Sequence, residues 1–154
     1  MQLYLVQHAK AAPREVDAER PLTEEGLRDI QKVAAFVKPL NLSVDYIWHS
    51  GKKRAEQTAE VLAEAIKANR GQIARDGLAP SDDVTAVASE LATAVEDIAI
   101  VGHLPFLNRL ASLLLAGPES AGTVTFKNAG IVRLSRVDEN EWQVDWMVIP
   151  ELLA

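Results

Sequence analysis

Two short apolar runs in this chain each stop at a histidine. Leu3-Tyr4-Leu5-Val6-Gln7 leads into His8, and Ile98-Ala99-Ile100-Val101-Gly102 leads into His103. Both runs are apolar almost throughout rather than at every second position, the signature of a strand covered on both faces inside a parallel sheet. In open α/β sheets, ligands bind in the crevice outside the carboxyl ends of the strands. The two imidazoles are far apart in sequence, yet this pattern sets them on one rim.

The intervening segments supply the helices that such a sheet needs. After the strand at 2–7, Thr23 is an N-cap for a helix of about sixteen residues, with Glu24 and Glu25 in its first turn and Pro39 beyond its end. A strand over 44–48 ends at His49 and Ser50. The apolar spacing of Ala55, Thr58, Ala59, Leu62, Ala65 and Ile66 predicts a helix from Lys52 to Ala68. A weaker strand near 72–75, a loop over 78–83, a helix over 83–94, a strand over 97–102 and a helix over 105–115 follow, with Pro105 in the first turn of the last. Segments 130–136 and 141–148 read as a closing hairpin around Asp138-Glu139-Asn140. Trp142 and Trp146, four apart, share one face at strand period. The expected fold is a three-layer α/β/α sandwich, with a mostly parallel central sheet and an antiparallel edge hairpin. No linker, repeat or low-complexity tract divides the chain, so residues 1–154 read as a single domain.

Composition narrows the chemistry. With no cysteine there is neither a disulfide nor a thiolate metal site, and the setting expected is cytoplasmic. No apolar stretch reaches membrane-spanning length and no signal peptide is evident. A formal charge of −6 argues against a nucleic-acid binder, and Lys52-Lys53-Arg54 is too short a basic run to change that. Glu56, Glu60 and Glu64 read as a solvated helix face. A local cationic pocket for a small anion is compatible with the overall charge.

Such a pocket is what the rim would carry. Arg54 lies in the first turn of the helix after the second strand, where a cation opposes the helix dipole and gains from an anion seated between them. Lys10 and Arg20 lie on the loop after the first strand. Two imidazoles, guanidiniums and a helix N-terminus around one point describe a site for a phosphate group. There a neutral His8 is a competent nucleophile toward phosphorus, provided its other ring nitrogen is tied to a backbone carbonyl. Arg54 and His103 would hold the equatorial oxygens as charge spreads in the transition state.

Four segments then occur in order: Leu5-Val6-Gln7-His8-Ala9-Lys10, Arg20-Pro21-Leu22-Thr23-Glu24-Glu25-Gly26, Ser50 through Thr58, and Val101-Gly102-His103-Leu104-Pro105. Together they resemble the histidine phosphatase, or phosphoglycerate-mutase-like, superfamily. The short length without an inserted cap looks most like its SixA-type phosphohistidine phosphatase branch. The resemblance implies that His8 is the phospho-accepting nucleophile, that Arg54 and His103 hold phosphate, and that Arg20 joins them. It implies hydrolysis without metal or other cofactor, acting in signal transduction on a phosphohistidine-bearing protein such as a phosphotransfer domain, with phosphate ion released.

The departure from the pattern is Gln7, where the family has Arg before the nucleophile. Glutamine keeps a hydrogen-bond donor but loses the charge and the bidentate fork. Lys10 or Arg20 would then supply part of the missing charge. Two other readings accompany the first: a phosphate- or phosphoprotein-binding domain with impaired catalysis, and a phosphatase for small phosphomonoesters. Asp82 and Asp83 stand where a general acid could lie. His49, the third histidine, is expected at the pocket mouth or against the neighbours of Trp48. A three-histidine metal site is disfavoured, because no His-x-His or His-x-x-x-His pair is present and the nearby cations would repel a metal.

Overall fold

The computed structural model describes residues 1–154. Its framework is a six-stranded sheet made of β1 (Gln2–Gln7), β3 (Tyr46–His49), β5 (Gln72–Ala74), β6 (Ile98–Gly102), β7 (Ile131–Asp138) and β8 (Glu141–Val148). The strand order is β5-β3-β6-β1-β7-β8. β5, β3, β6 and β1 run parallel, whereas β7 and β8 close the edge antiparallel. Helices α1 (Glu24–Val37), α2 (Lys53–Leu62), α3 (Thr85–Thr93) and α4 (Phe106–Leu115) flank it. None is long and apolar enough to cross a membrane.

The period-2 geometry of strands sends alternate residues of β1 into separate cores. Leu3 and Leu5 join Ile98, Ile100, Phe106, Leu107 and Leu110 on the α3/α4 side. Tyr4 and Val6 join Ala99, Val101, Val33, Val37, Ala59 and Leu62 on the α1/α2 side. A strand covered twice has no polar face to spare, which accounts for the uninterrupted apolar runs. The mostly parallel α/β sandwich with its antiparallel edge is therefore the observed fold.

Four local expectations are corrected. The strand over 44–48 is broken: β2 (Ser43–Val44) pairs in parallel with β4 (Lys67–Ala68) in a separate two-stranded sheet, and β3 starts only at Tyr46. Asp45 marks the break, accepting from the Asp97 N–H through its carboxylate and donating its own N–H to the Asp97 carbonyl. The helix expected to reach Ala68 stops at Leu62. Ala65 and Ile66 stay buried but lie in a turn that feeds β4, so core burial sustained the apolar spacing beyond the helix itself. Pro105 caps α4 from outside rather than lying in its first turn.

The tryptophans face opposite ways. Arg133 opposes Trp146 and Leu134 opposes Val144, so Asp145 is an extra residue at a β-bulge. One inserted residue reverses the alternation. Trp142 is buried in the α3/α4-side core, and Trp146 packs edge-on against Tyr4 on the other side.

Candidate functional site

Both histidines stand where the sheet ends. β1 and β6 pair in parallel with Gln7 opposite Gly102, and the His8 N–H donates to the Gly102 carbonyl at 3.0 Å. The adjoining residues therefore leave the sheet together, and the imidazole centroids of His8 and His103 lie 5.0 Å apart, tilted by 52°.

The turn after β1 fixes the first ring. His8 Nδ1 lies 2.7 Å from the Ala9 carbonyl oxygen. Only Nδ1–H can donate there, so the neutral ring leaves Nε2 with a free lone pair. Burial pushes the His8 pKa down to about 4. The bond to Ala9 opposes that shift, and the charges of Arg54 and Arg20 reinforce it. The Ala9 N–H in turn donates to Thr58 Oγ1, whose hydroxyl donates to the Arg54 carbonyl, so the His8 turn and the first turn of α2 are locked together. Behind it, Asn128 Nδ2 donates to the His8 carbonyl at 2.9 Å, and Ala129, held in the left-handed region at φ 64°, donates its N–H to the Gln7 carbonyl.

His103 is 1% exposed and fixed through the opposite nitrogen. Its Nε2 lies 2.6 Å from Ser50 Oγ, which also accepts from the Lys52 N–H. The Ser50 hydroxyl thus engages Nε2, and Nδ1 is buried with no partner within the protein. Burial, then the nearby His8 ring and the charges of Arg54, Lys52 and Arg20, push the His103 pKa down to about 3.

Arg54 is half-buried in the first turn of α2, with its Nε enclosed and unpartnered. Burial and the adjacent Arg20 and Arg14 disfavour its charge. Arg20 is aimed by strain and a bond: its backbone is left-handed at φ 51°, and its Nε donates to the Ala12 carbonyl at 3.0 Å. The enclosed Nδ1 of His103 and Nε of Arg54, both without partners and beside guanidiniums that repel one another, form a setting suited to an oxyanion.

The structure gathers His8, His103, Arg54 and Arg20. Lys10 it does not bring into this group: the ammonium points to α1 and pairs with Glu25 at 2.8 Å. Gln7 lies beside it, along a groove of about 360 Å³ that runs to Lys127 and Asn128. The amide oxygen of Gln7 is buried without a partner. Asp82 and Asp83 are both occupied by local turns. Asp82 accepts from the Ala79 N–H, and the Thr85 N–H and hydroxyl hold the Asp83 carboxyl below its usual range, the wrong direction for a proton donor. His49 is buried at the end of β3, where its Nδ1 accepts from the Gly51 N–H. No three His, Asp or Glu side chains gather closely enough to hold a metal ion.

Sequence reasoning passed over Ser50, Thr58 and Asn128 as positioning residues. Ser50 and Thr58 had a signal, since both are small hydroxyl residues flanking Arg54 within one motif. Asn128 had none, because its partner is a carbonyl more than a hundred residues earlier.

The sequence profile of the histidine phosphatase superfamily (branch 1) matches residues 3–79, half of the chain. An uncharacterized protein of Picosynechococcus sp. is 34% identical over 141 residues, covering 87% of this chain and 84% of that one. The phosphohistidine phosphatase SixA of Escherichia coli K12 is 24% identical over 155 residues, covering 97% and 94%. The structure of the protein histidine phosphatase SixA complexed with tungstate superposes with a TM-score of 0.86 at 23% identity, covering 99% of both chains, so the fold is that of SixA. With His8, His103 and the α2 arginine brought together on this fold, the chain belongs to the histidine phosphatase superfamily, which supports a phosphatase among the hydrolases.

Proposed function

We propose that the protein is a phosphohistidine phosphatase acting on a phosphohistidine-bearing protein, such as a phosphotransfer domain, through a phosphorylated His8, in the cytoplasm and without a metal. The observation that carries this reading is the pair of rings tied through opposite nitrogens: His8, held through Nδ1, offers a lone pair at Nε2, and His103, held through Nε2 with its ring centroid 5.0 Å away, has its Nδ1 unpartnered. His8 Nε2 attacks phosphorus in line, a new P–N bond forms, and the substrate's P–N bond breaks as its imidazole, already protonated by solvent on the other ring nitrogen, takes the bond's electron pair and departs as a neutral ring. Arg54, Arg20 and His103 hold the phosphoryl oxygens as charge spreads. Water then attacks the phosphorus of phospho-His8, the P–N bond to Nε2 breaks, and phosphate leaves. No placed carboxylic acid is needed, because a protonated imidazole is a good leaving group.

The open rim also favours a protein over a small ester, which is best served by an enclosed cavity. Mass spectrometry of the chain after exposure to a phosphorylated phosphotransfer domain should show one phosphoryl group on His8. Labelling elsewhere, or none with turnover intact, overturns the reading.

One observation favours a second reading. Gln7 sets an uncharged amide, with its oxygen unpartnered, where the family carries a cation. A site short of one preorganised donor loses about 10²–10³ in rate, and could serve to bind phosphoprotein. Turnover by the natural chain and by Gln7→Arg separates the two. A silent natural chain and an active variant identify a binding domain.

A further inference from the structure

The site holds more positive charge than one phosphoryl group needs. Lys10, Lys53, Arg75, Arg109 and Arg133 each pair with a carboxylate. Of the eleven cations without such a partner, four, Arg14, Arg20, Lys52 and Arg54, belong to the surroundings of the two histidines. These four are neighbours: Arg54 feels Arg20 and Arg14, and His103 feels Arg54, Lys52 and Arg20. Arg54 and Arg20, with the α2 N-terminus, suffice for a dianion. Arg14 and Lys52 are exposed and left over.

The surface that continues from His103 into α4 has the opposite character. Leu104, the next residue, is 41% exposed. It opens a groove of about 410 Å³ shared with Pro105, Asn108, Val124 and Phe126, which carries no charged side chain. Exposed apolar surface contiguous with a reactive group marks a contact site.

We propose that these two flanks form one docking face for the protein substrate. The partner is a protein surface that sets carboxylates against Arg14 and Lys52, an apolar side chain in the Leu104–Phe126 groove, and the phosphorylated side chain between them. This inference rests on the proposed phosphoprotein substrate and assigns it a surface. Charge complementarity selects the occupant: a small phosphoramidate reaches Arg54 and Arg20 but leaves Arg14, Lys52 and the groove unused.

The test compares a phosphorylated phosphotransfer domain with phosphoimidazole as substrates of the intact chain, Arg14→Ala and Val124→Asp. Each substitution should lower kcat/KM on the protein about tenfold, the scale on which losing one contributing interface contact acts, and leave phosphoimidazole hydrolysis within about twofold. Arg14→Ala should also flatten the salt dependence of the protein reaction. Equal losses on both substrates, or no loss on the protein, overturn the docking face. Calorimetric titration of the phosphorylated protein into His8→Ala, with and without Val124→Asp, reads the face independently of turnover. Unchanged affinity there overturns it, whereas absence of turnover on both substrates with affinity weakened about tenfold keeps the face and removes only the phosphatase reading.

Discussion

His8 and His103 occupy equivalent places, at the ends of adjacent parallel strands, yet the protein treats their rings in opposite ways. At His8 a backbone carbonyl takes the Nδ1 proton and frees Nε2; at His103 a serine hydroxyl engages Nε2 and leaves Nδ1 enclosed without a partner. In the proposed reaction one ring is the nucleophile and the other a neutral donor, although burial and the same arginines depress both pKa values. The lesson is that which nitrogen is tied, rather than the residue type or the charge around it, divides the labour between two histidines.

The comparison breaks most sharply at His8, the proposed nucleophile. His8→Ala should reduce hydrolysis by about 10⁴-fold or more, the scale on which losing a nucleophile acts, and abolish phosphoryl labelling in the mass spectrum. His103→Ala should cost about 10²–10³, as for removal of one preorganised donor, while the chain still becomes labelled on His8. If the two variants lose labelling equally, the rings do not have distinct roles.

The architecture was legible because its signals are local. Two doubly covered strands, the Thr23 cap and the hairpin turn each act within a few residues, and Thr23 does accept from the Gly26 N–H as an N-cap should. Gly26 itself sits so close to the Lys10 carbonyl that a Cβ would fall 2.1 Å from the oxygen, which explains the glycine in that motif. The unread parts depend on distant partners. α2 ends early because residues 67–68 pair with 43–44, and the tryptophans part company because of one bulge residue. At the site, the convergence of His8, His103 and Arg54 followed from topology, but Lys10 could not be excluded without knowing that Glu25 on α1 reaches it.

Acid titration tests the shared part of the comparison. The unfolded chain takes a proton on each ring as pH falls through about 6.5, whereas the folded rings hold off until about 4 for His8 and about 3 for His103. Between those limits the unfolded state binds more protons, so stability declines as pH falls from about 6.5 and rises again on return. The imidazole resonances of both rings in an NMR titration should stay flat from pH 8 to 5. A midpoint near 6.5 for His8 would mean that its ring is not held neutral by burial.

The finest difference lies in the Ser50 hydroxyl. If it orients His103 and nothing more, Ser50→Ala removes the group that engages Nε2, and the His103 proton is free to redistribute between the two nitrogens. The expected loss in kcat is about tenfold or less, the value of one neutral hydrogen bond, with KM little changed because the phosphate still meets Arg54 and Arg20. The diagnostic readout is spectroscopic. Nitrogen-15 shifts of His103 should move from a pure Nδ1–H tautomer in the natural chain toward a mixture in Ser50→Ala, and those of His8 should not move, since its own tautomer is set by Ala9. Ser50→Thr, which keeps the hydroxyl, should restore both the His103 shifts and the rate. A loss of rate with the His103 tautomer unaltered would show that Ser50 matters through something other than the ring it touches, and the assignment of opposite nitrogens would then rest on His8 alone.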